Sequence, residues 1–337
     1  MKTSFYFVAW ILVYVLIDIL NIQQLKENSF VAAYPTKSGY TTQTFKNDTK
    51  GVRQFIKSLP EESHCVMEST GNYSMLLLYL LQQGGIPVSM ENPQKIKHFS
   101  RAMMSVTKTD EIDAKLIAMY GEKMNPAPYK IPSESILLLK QKRTVLRQLK
   151  KHLAATLNLQ QSLAVLPKQD PTSKTAVEQT IKFLRKQISK MEEEITNLSN
   201  KEFKRQMDLL TSIKGIGNTL ASALIVATGG FTYFTSAKQI SRFLGICPTY
   251  QQSGTSVNIK GHINRNGDTH LRCQLYLAAC SSLRCNTACK QAYDRLRANG
   301  KSGKSAIIAV ANKLIRQAFA VVTSNRPYID GYVSTFA

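Results

Sequence analysis

The order of apolar patterns along these 337 residues predicts an α/β domain in the N-terminal part and a mainly helical remainder. Three observations carry that reading. Short β-branched and aromatic runs alternate with amphipathic segments as far as residue 125, and residues 134 to 212 repeat their apolar positions at helical spacing. The last third is rich in Ala and Leu and opens on a turn with two glycines. With 44 Lys and Arg against 22 Asp and Glu, the formal charge is +22. A balance this basic calls for a polyanionic partner, because each neutralised phosphate releases counterions. The hydrophobic share of 43% is enough for two cores.

The first element is ambiguous. Phe5 to Ile17 is uninterrupted apolar sequence and looks like a signal peptide or short membrane anchor. It falls short of the roughly 20 residues that span a bilayer, Asp18 follows at once, and no small-residue cleavage site is present. A buried strand is an equally good reading. Strand-like Ser29 to Tyr34 and Tyr40 to Phe45 come next, then an amphipathic helix carrying Val52, Phe55 and Ile56. A strand from His64 to Glu68, an apolar helix through Met75 to Leu81, a strand from Ile86 to Met90 and helices through 92–104 and 109–123 complete the domain. Three strands, helix, strand, helix, strand, helix is the order of a ribonuclease H-like (RuvC-like) domain, assigned to 1–125.

Asn125 to Pro132, with three prolines, reads as a linker. Leu137, Leu138, Val145, Leu149 and Leu153 on one side, with Ile181, Leu184, Ile188, Met191, Ile195 and Leu198 on the other, predict a long antiparallel coiled-coil hairpin. Linker and hairpin occupy 126–210, and a C-terminal domain occupies 211–337. The hairpin could hold subunits together or pack only on itself.

Glu68 closes a strand, while Asp110 and Asp113 sit three apart on a helix whose apolar residues are Ile112, Leu116, Ile117 and Met119. Carboxylates from separate elements suit a hard divalent cation such as magnesium. The plainer account is that the two aspartates are solvated residues of a first helical turn, favoured there by the helix dipole. Ile213-Lys-Gly-Ile-Gly-Asn218 reads as a helix-hairpin-helix turn, with Lys214, Gly215 and Gly217 bringing amides and charge to a phosphate, or else as a tight turn between packed helices. Ser253 precedes a glycine and a cationic stretch with Lys260, His262, Arg265, His270 and Arg272. A phosphate there would meet a hydroxyl and positive charge, although serine before glycine is commonly a turn residue. Gly303-Lys-Ser305 is no phosphate loop, since Ala298 stands where that loop needs glycine. The six cysteines show no zinc-ligand spacing, and Cys280, Cys285 and Cys289 read as small buried thiols on a helix in a reducing compartment.

Taken in order, these pieces resemble the DEDD-plus-serine transposases of bacterial insertion sequences, related to Piv-type DNA invertases. The resemblance rests on Glu68-Ser-Thr-Gly-Asn-Tyr73, Lys108-Thr-Asp-Glu-Ile-Asp-Ala114, the Gly-Ile-Gly turn, Gly245-Ile-Cys-Pro248, Ser253-Gly254 and the run from Gly303 to Leu314. It implies an RNA-guided, magnesium-dependent recombinase in which Glu68, Asp110 and Asp113 are metal ligands and Ser253 is the nucleophile of a phosphoserine intermediate. It also implies donor and target DNA and an element-encoded guide RNA as partners, a homo-oligomer such as a dimer or tetramer, and a cytoplasmic, nucleoid-associated location in a bacterium with no membrane.

One motif departs. Where the family begins Phe-Val-Gly-Ile-Asp-Val-Ser-Lys, this chain has Phe7-Val-Ala-Trp-Ile11-Leu-Val-Tyr14, which sets Ile11 where the first catalytic acid belongs. Trp is encoded TGG and Ile begins AT, so Trp10-Ile11 in a neighbouring frame contains GAT, the codon for Asp. Residues 9–20 therefore read as a frameshifted copy of the metal-binding strand, and the alternative to an active recombinase is a catalytically dead nucleic-acid-binding remnant. A sister copy of the gene with Asp at this position is the expected finding.

Overall fold

The structure is a computed structural model that describes residues 10–12, 29–69, 71–104, 107, 109–253, 257–263 and 267–331. It divides into two compact units, Met1–Ile131 and Pro132–Ala337. The first holds a sheet of β1 (Trp10–Leu12), β2 (Ser29–Thr36), β3 (Gly39–Lys46), β4 (Cys65–Glu68) and β5 (Val88–Glu91) in the order β3-β2-β1-β4-β5. The first three strands pair antiparallel, and β1, β4 and β5 pair in parallel. Its helices are α1 (Thr49–Ser58), α2 (Met75–Gln83), α3 (Pro93–Ala102) and α4 (Asp110–Met124). The α/β order read from the sequence is present and fits the ribonuclease H-like arrangement in general outline. Of the apolar run from Phe5 to Ile17, only Trp10–Leu12 lies among the described residues, as strand β1.

Both faces of the sheet are covered, which is why β2 reads as a continuous apolar run. Phe30 and Ala32 pack with Phe45, Cys65, Met67 and Val88 under Phe55 of α1 and Leu77, Leu78 and Leu81 of α2. Val31, Ala33 and Val66, of opposite parity, pack under Ile96 of α3 and Ala114, Ile117 and Tyr120 of α4. Caps set the helix starts: Asp48 accepts from Gly51 N at 2.7 Å, and Asn92 accepts from Gln94 N at 2.8 Å with Pro93 following.

Asn125 to Pro132 is not a free linker. Asn125 ends α4 in the left-handed conformation (φ 41°), and the next residues strap onto β5. Tyr129 N donates to Val88 O at 2.7 Å, Ser89 Oγ to Pro126 O at 2.7 Å, and Gln82 Nε2 to Tyr129 O at 2.9 Å. Prolines cannot donate to a ladder, but their carbonyls accept from a buried serine.

The second unit begins with α5 (Glu134–Ala164) and α6 (Pro171–Thr211). Ser135 Oγ donates to Glu202, Lys142 pairs with Glu194, and Lys150 with Glu192 at 2.6 Å, so the two helices run antiparallel. Their seam is Leu139, Leu146, Ile188 and Ile195, flanked by Leu149, Leu153, Met191 and Leu198. Leu138 and Val145, expected in that seam, are 40% and 46% exposed instead. Apolar residues occupy more than one side of α5, and periodicity alone does not say which side faces α6.

The unit continues with α7 (Asn218–Thr228), α8 (Ala237–Phe243), β6 (Pro248–Ser253), β7 (Val257–Ile263), α9 (Thr269–Ser282), α10 (Thr287–Ala298) and α11 (Gly303–Ser324). α11 is long and apolar enough to cross a membrane by length and composition, but Ala306, Val310, Leu314, Ile315 and Ala318 bury one of its faces in the core. Gly303-Lys-Ser305 is its first turn. Of the three thiols expected to be buried, Cys289 is, Cys280 is half-buried and Cys285 is exposed.

Candidate functional site

In the first unit, Glu68 stands half-buried at the end of β4, and its register partner on β5 is Glu91. Sequence reasoning missed Glu91, although both strands end in Met-Glu. Its side chain is 10% exposed and held by Lys95 Nζ at 2.7 Å. That bond pushes the Lys95 ammonium above its ordinary range, and burial raises the neighbouring Tyr120 phenol, with the Glu91 charge adding to it. Lys95→Ala leaves Glu91 buried without its cation. It is expected to cost about 1–2 kcal/mol in urea unfolding, less than a fully buried pair because Lys95 itself is solvated.

Asp110 and Asp113 lie half-buried in the first turn of α4. Thr109 caps that turn, accepting from Ile112 N at 3.3 Å, and its carbonyl takes Asp113 N at 2.9 Å. α4 packs on β1, β2 and β4. Carboxylates from a strand end and a helix start are the donor chemistry of a hard divalent cation, so the residues fit such an ion in kind. Among the described residues, however, no group of three His, Cys, Asp or Glu side chains is gathered closely enough to hold a metal.

The sheet register bears on the missing acid. Trp10 pairs with Ala33 and with Val66, while Ile11 pairs with Ala32. Ala33 and Val66 belong to the face under α4, and Ala32 to the face under α1 and α2. Glu68, two residues beyond Val66 on β4, has the parity of Val66.

In the second unit, β6 and β7 form an antiparallel ribbon in which Ser253 pairs with Val257, at the last described pair before 254–256. The sequence reading assigned no strand here, with a turn as the plainer account of Ser253, and missed the ribbon. The alternation of Val257, Ile259 and Ile263 with Asn258, Lys260 and His262 was the available signal. Lys260 lies on β7, and Arg265 lies outside the described residues. Arg272, on the first turn of α9, is bound internally: it donates to Gly267 O at 2.7 Å and to Thr269 Oγ1 at 3.0 Å.

The glycine turn divides its work. Gly215 has φ +108°, and a Cβ there would lie 2.6 Å from Ser282 Cβ, so this glycine lets the turn press on α9. Gly217 caps α7 without a side-chain hydrogen bond and has nothing within 4 Å of a built Cβ, so its amides stay open. Gly215→Ala is expected to destabilise the protein by about 2–4 kcal/mol, and Gly217→Ser by less than about 0.5 kcal/mol, both read by urea unfolding. Lys214 faces Asp330 at 3.9 Å. Hydrogen bonds from Thr287 hold the Asp330 carboxyl below its ordinary range, with Lys214 a smaller cause.

Comparison with known proteins places both units. A transposase model of the IS110 DEDD type matches residues 26–167, and a second, described as the transposase IS116/IS110/IS902 family, matches 207–294. The chain is similar to the pilin gene-inverting proteins of Moraxella bovis and Moraxella lacunata, in each case 29% identical over 90% of this chain and 95% of the relative. It is also 32% identical to an uncharacterized 43.6 kDa protein of insertion element IS110 from Streptomyces coelicolor, over 36% of this chain and 29% of that protein.

Proposed function

We propose that this chain, which belongs to the IS116/IS110/IS902 family of DEDD transposases, cuts and rejoins the DNA of its insertion sequence through a serine-linked intermediate guided by RNA. The observation that carries the reading is one chain holding both an acid-bearing α/β unit and a serine-bearing ribbon, with similarity over nearly its whole length to proteins named for inverting a gene. We take 1–125 as the RuvC-like domain, 126–210 as linker and coiled-coil arm, and 211–337 as the transposase domain. In this reading the exposed Leu138, Val145 and Leu159 of α5, seven and then fourteen residues apart with His152 between, face a second subunit.

The Ser253 hydroxyl attacks a DNA phosphorus, forming the Ser–O–P bond while the bond to the departing sugar oxygen breaks. The serine proton leaves to solvent, and the departing oxygen takes one up. Attack on the phosphoserine by a sugar hydroxyl of the other DNA reverses these changes and frees Ser253. One P–O ester replaces another, so the exchange needs no outside energy. Glu68, Asp110 and Asp113 would hold magnesium, which when bound would supply Lewis-acid polarisation of the phosphate. Lys214, Gly215, Gly217, Lys260, Arg265 and Arg272 hold the nucleic-acid backbone. A structured RNA encoded by the element pairs with donor and target DNA, a homotetramer brings the acids of one subunit to the serine of another, and the work is done in the bacterial cytoplasm at the nucleoid, away from any membrane.

Ile11 supports a second reading, in which this copy binds nucleic acid without joining strands. A supercoiled plasmid incubated with protein, the RNA transcribed beside the gene and magnesium separates the two. Joined strands are expected of the recombinase, and retention of RNA and DNA without joining of the remnant.

A further inference from the structure

α5 carries a cationic run for which the hairpin itself has little use. Lys140, Lys142, Arg143, Arg147, Lys150 and Lys151 fall within twelve residues, and no acid occurs from 135 to 169. Lys142 and Lys150 pair across to Glu194 and Glu192 of α6. The arginines do not. Arg143 is half-buried, with its guanidinium donating to the Thr219 carbonyl at 3.3 Å, and exposed Arg147 makes no hydrogen bond or ion pair among the described residues. Thr219 stands in the first turn of α7, whose Gly217 cap leaves the helix N-terminus open. Burial pushes the Arg143 guanidinium below its ordinary range, and the charge of Asp268 offsets that only in part, so a further anion beside it would be favourable.

His270, in the first turn of α9, lies within the field of Arg143, Arg147 and Lys150. Burial chiefly, and then these cations, hold the imidazole below its ordinary range, while Asp268 pulls it up. Gln274 one turn on has a buried Oε1 without a hydrogen-bond partner, and its Nε2 lies 3.4 Å from His270 Nε2. Half a turn of that amide would let Oε1 accept from His270 Nε2–H, a donor present in one neutral tautomer and in the charged imidazole alike.

We propose that Arg143 and Arg147 of α5, with His270 of α9 and the open N-terminus of α7, form a cradle for the phosphodiester backbone of a nucleic-acid duplex. It deepens the reading of this chain as a nucleic-acid enzyme without depending on strand exchange. A phosphate here offsets the arginine charges and favours His270 with its proton, so binding takes up a proton. Asp268, Arg143, Arg147 and Lys150 are the charged groups that bear on this histidine.

The test is fluorescence anisotropy of the full chain with a DNA duplex and, in a second arm, an RNA duplex, across a salt series. Arg143→Gln with Arg147→Gln is expected to weaken binding about tenfold at 0.1 M salt and to reduce the slope of log affinity against log salt by about 2, one contact per arginine. Arg147→Gln alone, which breaks no internal bond, should reduce the slope by about 1. Lys182→Gln with Lys186→Gln, exposed on α6 and removing the same charge, should leave it unchanged. Wild-type binding should tighten between pH 7.5 and 6, and His270→Gln should flatten that dependence. A larger effect on one duplex names the partner. Equal loss in the α6 control, or wild-type slopes in both arginine variants, overturns the proposal whether or not the protein recombines DNA.

Discussion

Ser253→Ala is expected to abolish the covalent protein–DNA adduct and to lower strand exchange by roughly 10³-fold or more, because no other atom of that residue can attack phosphorus. Affinity for RNA and DNA should stay within about twofold of wild type, since the hydroxyl is asked to react and not to bind. Ser253 closes the described part of β6 opposite Val257, a position at which alanine is compatible with the backbone. Denaturing electrophoresis of a labelled duplex after incubation with protein, guide RNA and magnesium reads the adduct directly. An adduct that persists in the Ala variant moves the nucleophile to a neighbouring hydroxyl such as Ser256 and removes the basis for the mechanism above.

Restoring the first acid is the second large expected effect. The unrepaired chain should exchange strands weakly or not at all, because three carboxylates hold magnesium less well and place the phosphate less accurately than four. Ile11→Asp alone should not rescue it. Position 11 pairs with Ala32, whose face of the sheet carries Phe30, Phe45, Phe55 and Met67, while Glu68 has the parity of the face under α4. An acid inserted among Trp10, Leu12 and Val13 has apolar neighbours along the chain and stays unpaired. Replacing residues 9–15 by Gly-Ile-Asp-Val-Ser-Lys-Lys puts the acid between flanks that can choose their own register, and a slip of one residue exchanges the two faces. Magnesium-dependent joining is expected in the repaired chain and should vanish when Asp113→Ala is added. Full activity without repair would show that Ile11 is tolerated and that the four-acid account fails.

The α/β order was legible because each element of the first unit has its own period. Alternation marks β3, continuous apolar character marks β2 and β4, and apolar residues at helical spacing mark the helices between them. The strap from 126 to 131 was not legible, because its hold on β5 uses main-chain carbonyls that no side-chain pattern encodes. The β6–β7 ribbon was missed for a different reason: half of each strand is polar, and a serine before glycine is as compatible with a turn as with a strand end.

Candidate chemistry divides in the same way. Glu68, Asp110, Asp113 and Ser253 can be named from one dimension, since a motif is a spacing along the chain. Glu91 beside Glu68, Lys95 upon Glu91, and Arg143 turned to the α7 N-terminus cannot, since each depends on which strand or helix is the neighbour. The sequence by itself determined the order of elements, the basic charge and the family motifs, because these are properties of residue type and local period. Tertiary structure alone decided which side of α5 is buried, which residues position 11 pairs with, and which cations form ion pairs. The physical reason is that burial and pairing are set by contacts between residues far apart in the chain, and no local preference specifies them.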